Sequence, residues 1–169
     1  MNEDPTHDGP LPSPEPQARA WRAGVDHAAA VGRLLRDFNA EFNVPCPSAE
    51  ELSDRFARLL NRDDVIVLVA GGHESPSGFA FLTLRPTPYF DGPIAQLEEL
   101  YVVPELRDRG IGTSLLQTAV ETVRARGAGE VHINVDEIDV DTRRFYERHG
   151  FSNIEPSGTT RMLFYIREL

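Results

Sequence analysis

Leu97–Leu116, LEELYVVPELRDRGIGTSLL, decides how the chain is read. An apolar, strand-like run passes Pro104, turns through Arg107, Asp108, Arg109, Gly110, Ile111 and Gly112, and enters a helix. The helix is signalled by Leu115, Leu116, Ala119, Val120 and Val123 at helical spacing. A loop with two glycines entering a helix presents backbone N–H groups that have no partner inside the helix, which makes it an anion site. Gly110 and Gly112 remove Cβ atoms where a ligand oxygen approaches, and glycine also permits φ > 0. Arg107 and Arg109 add positive charge at the same place, where the helix dipole already favours an anion. The spacing R-x-x-G-x-G is neither the P-loop, because no lysine follows the second glycine, nor the dinucleotide fingerprint G-x-G-x-x-G.

Outward from this stretch, the chain alternates strand and helix signals. Ala18–Ala23, centred on Trp21, reads as a first edge strand. From Asp26, a plausible N-cap, Val31, Leu34, Leu35, Phe38 and Phe42 share one helical face, and the helix ends before Pro45. Ser48-Ala-Glu-Glu51 has the form of a capping box opening a second helix with Leu52, Phe56, Leu59 and Leu60 inward. Val65–Ala70 is a continuous β-branched run, as in a strand covered on both faces. With Phe79–Leu84 it predicts a hairpin across Gly71–Gly78. Pro86, Pro88, Gly92 and Pro93 make a loop carrying Tyr89 and Phe90, which either pack or fold over a pocket, and Ile94–Val103 follows as the long central strand. After the helix, Val131–Val135 reads as a strand, Asp141–His149 as a short helix stopped by Gly150, and Thr159–Arg167 as a last strand.

The strand, Arg107-x-x-Gly110-x-Gly112 and helix, followed by FYERHGF from Phe145 to Phe151, resemble the acetyl-CoA-binding core of the GNAT superfamily of N-acetyltransferases. The resemblance covers roughly Val65 to Leu169. It implies an α/β fold with α+β character: a central mixed, mostly antiparallel twisted sheet flanked by helices on both faces. It also implies acetyl-CoA as co-substrate. By that likeness Arg107, Asp108, Arg109, Gly110, Ile111, Gly112 and Thr113 surround the diphosphate. Tyr101, Val102 and Val103 run along pantetheine, with the Val102 N–H facing the thioester carbonyl. Tyr146 is the proton donor to the departing thiolate; a phenol suits this because it is neutral at pH 7 yet donates a hydrogen bond. Many members have asparagine where this chain has Asp139. A carboxylate cannot donate as an amide does, so Asn134 is an alternative contact to the cofactor. Glu98 stands where several members place a base for the amine. Glu99 is the competing carboxylate; neighbours in a strand face opposite ways, so at most one of the two enters the pocket. The helix pair borders the acceptor pocket in the family, which makes Asn39–Pro47 the substrate-loop candidate.

Composition bounds the rest. At 169 residues the chain has room for one sizeable core. The division expected is a proline-rich, disordered tail over residues 1–17 and a single domain over 18–169. The formal net charge of −10 argues against nonspecific nucleic-acid or anionic-membrane binding and is compatible with an amine acceptor. Cys46 is the only cysteine, which excludes an internal disulfide, and His132 and His149 lack metal-ligand spacing, so no metal is expected. The N-terminus has no signal-peptide pattern and no apolar run reaches bilayer length, pointing to a cytoplasmic protein. The expected activity is acetyl transfer from acetyl-CoA to a primary amine of a small molecule or peptide, by direct attack in a ternary complex. A non-catalytic CoA-sensing or interaction module with the same fold is the alternative, and a homodimer is compatible with the last strand.

Overall fold

The structure is a computed structural model and describes residues 19–155 and 157–169. The proline-rich stretch 1–17 lies outside the described residues. The chain forms two compact units, one ending at Val131 and one running from His132.

In the first unit, β1 (Ala20–Arg22), β2 (Val65–Gly71), β3 (Pro76–Arg85) and β4 (Ile94–Val102) pair antiparallel in sequence order; β5 (Glu130–Ile133), within which the division between the units falls, ends the sheet order. Period-2 patterning assigns the two faces. Val65, Val67, Val69, Phe79 and Tyr101 cluster with Val31, Leu34 and Phe56, so this face lies under α1 (Ala28–Glu41) and α2 (Ala49–Leu59). The alternate residues Ile66, Leu68, Ala80, Leu82 and Leu97 are also buried. They face the side of α3 (Ile111–Ala125), whose Leu115, Leu116, Ala119 and Val123 are buried and which packs on β2, β3 and β4. β2 is buried on both faces, as its unbroken apolar run demands.

Local signals account for most boundaries. The Ser48–Glu51 capping box forms, with Glu51 N–H donating to Ser48 Oγ at 3.2 Å and Ser48 N–H to Glu51 Oε2 at 2.9 Å. Asp26 does not cap α1. It lies in a 3₁₀ turn, Val25–His27, that precedes the helix, and its carboxylate meets the His27 ring at 3.0 Å. α1 closes with a Schellman motif: Asn43 is left-handed at φ 54°, its N–H bonds Ala40 O at 3.1 Å, and Val44 N–H bonds Asn39 O at 2.9 Å. Tyr89 is 83% exposed, whereas the Phe90 ring lies against Gly129, at the end of β4 remote from the glycine loop.

The second unit contains α4 (Val140–Arg148), one residue ahead of the span expected from sequence. The expected strand Thr159–Arg167 is not formed. A single antiparallel bridge, Ile154–Arg161, and a Met162 N–H to Asn153 O bond at 2.7 Å replace it, and Met162–Ile166 are exposed. Alternation supplies a strand's side-chain pattern but not a ladder partner, and no partner strand lies along this segment among the described residues.

Candidate active site

The glycine loop is built as an open helix N-terminus. A 3₁₀ turn, Pro104–Leu106, follows β4; Asp108 turns left-handed at φ 58°, and Gly110, the N-cap of α3, sits at φ 80°. No side chain caps α3, and its first intrahelical bond is Ser114 N–H to Gly110 O at 2.9 Å. The N–H groups of Ile111, Gly112 and Thr113 therefore have no acceptor within the helix. A Cβ on Gly110 would meet nothing within 4 Å, so its left-handed backbone, rather than crowding, is what calls for glycine. Three convergent amides at a positive helix end, beside the exposed Arg109, fit a diphosphate. Among the described residues no cluster of three His, Cys, Asp or Glu is placed to hold a metal.

Arg107 is not one of the free charges of this loop. Its Nη1 and Nη2 donate to Glu41 Oε1 and Oε2 at 2.7 and 2.6 Å, and its Nε donates to Val102 O at 3.0 Å. Its guanidinium carbon lies 5.7 Å from the centre of the Tyr101 ring. The hydrogen bonds from Arg107 hold the Glu41 carboxyl below its usual range, and burial, with the Glu41 charge, pushes the Tyr101 phenol up. Tyr101 is buried against Phe38 and Phe79, so its side chain belongs to the core. Along the backbone, Val103 N–H donates to Ser77 O of β3 at 2.9 Å and is not available for pantetheine. By strand alternation the Val102 N–H points away from β3.

The two glutamates occupy a β-bulge. Phe81 pairs with Glu99 and Leu82 with Leu97, leaving Glu98 as the extra residue of β4. Regular alternation therefore fails here. Glu99 shares the α1–α2 face with its partner Phe81, and Glu98 accepts a 2.5 Å bond from Thr83 Oγ1 on that same face. The expectation that only one carboxylate faces this side is thus corrected by the bulge. Glu98 is exposed, whereas Glu99 is half-buried, and desolvation with the neighbouring Glu98 charge raises its carboxyl to about 7. Across this face, the loop closing α1 exposes Phe42 and Val44 at 55% and 50%, together with Cys46.

In the second unit, Tyr146 is 5% exposed, with its ring edge-on to Phe145 and Phe151 at 5.2 and 5.5 Å. Gly150 is left-handed at φ 87°; Gly150 N–H bonds Glu147 O at 3.1 Å and Phe151 N–H bonds Tyr146 O at 3.1 Å. This is another Schellman motif, so the Tyr-x-x-x-Gly-Phe spacing is also the spacing of a helix stop with its hydrophobic contact. Asp139 caps α4, accepting from Thr142 N–H at 3.1 Å, which gives that carboxylate a structural task. Asn134 is exposed just after β5.

The reading from sequence missed Glu41 and Thr83. Glu41 carried one signal: an acid in the last turn of a helix opposes the dipole there and calls for a partner. Thr83 carried none.

The sequence profile of the Acetyltransferase (GNAT) family matches residues 31–151. A crystal structure from Arthrobacter sp. FB24, whose name gives the class acetyltransferase and no substrate, superposes with a TM-score of 0.83 at 48% identity, over 89% of this chain and 95% of that one. An aminoglycoside N(6′)-acetyltransferase of Klebsiella aerogenes is 39% identical over 84 residues, 48% of this chain and 53% of the relative. A mycothiol acetyltransferase of Saccharopolyspora erythraea is 28% identical over 142 residues, 79% of this chain and 43% of the relative, so the chain spans about half the length of these two proteins. The profile runs from within α1 through the glycine loop to Phe151, well over half of the chain, and the five-stranded open sheet is the one its structural relatives have: the chain belongs to the GNAT acetyltransferase family.

Proposed function

We propose that the chain is an N-acetyltransferase that moves an acetyl group from acetyl-CoA to a primary amine of a small molecule or peptide by direct attack. The observation that carries this reading is the pairing on one strand of two parts. β4 bears the half-buried Glu99 in its bulge and leads at its end into the open amides of residues 111–113. Those amides and Arg109 would hold the diphosphate, and the Val102 N–H would stabilise charge on the thioester oxygen. The bound acetyl-CoA supplies an already activated acyl group, so the chain's tasks are positioning and proton transfer.

In this scheme the amine nitrogen forms the new C–N bond as the C–S bond breaks. Glu99, through water, takes the amine's proton, and Tyr146 gives one to the thiolate. Glu99 replaces Glu98 as the preferred base because a carboxyl raised to about 7 is matched to proton transfer near neutrality, whereas Glu98 is exposed and held by Thr83. The relatives named for aminoglycoside and mycothiol acetyl transfer make a small-molecule amine the first acceptor class to test.

The test is calorimetry with acetyl-CoA followed by a free-thiol assay over a panel of aminoglycosides, polyamines, amino acids and peptide N-termini. Binding with turnover on at least one amine is expected. Absence of binding at millimolar acetyl-CoA defeats the proposal, and binding without turnover on any amine favours a CoA-sensing module.

A further inference from the structure

Arg107 stands where the donor and acceptor sides of the first unit meet. Its backbone begins the turn that sets the α3 amides. Its side chain leaves that turn, bonds the last residue of β4 through Val102 O, and ends in a two-point grip on Glu41, the last residue of α1. Immediately after Glu41 come Phe42, Asn43 and Val44, the closing turn of α1, and then the exposed loop toward α2. Glu41 is in an unfavourable place for α1 by itself, since the helix C-terminus repels a carboxylate. A planar, two-point guanidinium contact offsets that and has a fixed direction, which a lysine contact would lack.

From this we infer that Arg107 is a positioning residue that couples occupation of the CoA loop to the order of the acceptor loop, residues 42–47, through the Arg107–Glu41 fork. The inference rests on the loop's reading as the CoA site. A diphosphate bound to the amides of 111–113 restrains the turn from Arg107 to Gly110, which has two left-handed residues and no side-chain cap of its own. Restraining that turn fixes the base of the Arg107 side chain. The fork passes the restraint to the end of α1, and the Tyr101 ring under the guanidinium keeps the fork from swinging toward the core. Binding the donor thereby orders the wall against which the acceptor is held, and acceptor affinity rises by the same coupling.

Hydrogen exchange of the full chain with and without CoA tests this without knowledge of the acceptor. The Asn43 and Val44 amides, which close the α1 turn, are the reporters. Saturating CoA should slow their exchange by about 5-fold or more in the native chain, the low end of allosteric coupling. In Glu41→Gln and in Arg107→Lys, which keeps the charge but not the fork, this slowing should fall below about 2-fold. Calorimetric affinity of Glu41→Gln for CoA should stay within about 3-fold of native, the remainder of a coupling that the loop alone would contribute. A fork that is merely structural would shift exchange equally with and without CoA, and that result overturns the inference. CoA binding with no protection of Asn43 and Val44 in the native chain overturns it as well. Absence of CoA binding removes the functional reading together with the inference, which separates the two failures.

Discussion

Tyr146 shows how one residue can satisfy two demands. As C3 of a Schellman motif it needs a large apolar body to meet Phe151, and phenylalanine would serve. Proton donation to a thiolate is what the hydroxyl would add in the proposed reaction. Tyr146→Phe should therefore keep the fold and CoA affinity while lowering kcat by about 10- to 1000-fold, in the range of general-acid losses. Calorimetry and single-turnover kinetics check it; an unchanged kcat would return the tyrosine to capping alone. Glu99 is argued in the same way. For a base raised to about 7, kcat/KM should climb through that pH and level off above it, with Glu99→Gln removing the climb and most of the rate. Glu98→Gln should lose the like charge beside Glu99 and so move the climb to lower pH. If Glu98→Gln abolishes the pH dependence and Glu99→Gln leaves it intact, the two roles are reversed. Both glutamates were visible in the sequence, but their ranking was not, because it depends on desolvation by residues far along the chain.

Elements with a local cause were the legible ones. The Ser48 capping box, the β-branched run of β2 and the apolar stripe of α3 each state their own conformation within a few residues. The bulge in β4 does not: it is a difference in count between two paired strands, and nothing within Leu97–Leu100 announces it. The terminal strand failed for the related reason that alternation describes a strand's faces and pairing makes it one. Two substitutions contrast these kinds of cause. Ser48→Ala removes only a local cap and should cost about 1 kcal/mol. Gly92→Ala should cost more, at least about 1–3 kcal/mol, because its Cβ would fall 1.9 Å from Gly127 O, a backbone atom that cannot move aside as a side chain can. That contact joins the loop before β4 to the turn that ends α3, so it is invisible to any reading of Gly92 in its own segment. Thermal or denaturant unfolding measures both, and a Gly92→Ala variant as stable as Ser48→Ala would mean that the two loops separate at little cost.

At the scale of the whole molecule, composition and site lead to the same expectation by independent routes. The chain carries 27 acidic against 17 basic residues, and Glu98 and Glu99 add their carboxylates where the amine is proposed to react. A multiply charged amine approaching such a surface is steered by the summed field, whereas the reacting contact itself is short-range. Added salt should therefore act on encounter more than on chemistry, because the screening length falls from about 10 Å at 0.1 M to about 3 Å at 1 M. For a polyamine acceptor, kcat/KM should drop several-fold, by about 3 to 10, between low and near-molar salt, with kcat little changed. A monoamine of similar size should respond much less. Steady-state kinetics on the two amines across a salt series decides the matter. Equal salt responses would place the acceptor's recognition in local contacts alone, and a rise in kcat/KM with salt for the polyamine would mean that the excess negative charge lies away from its path.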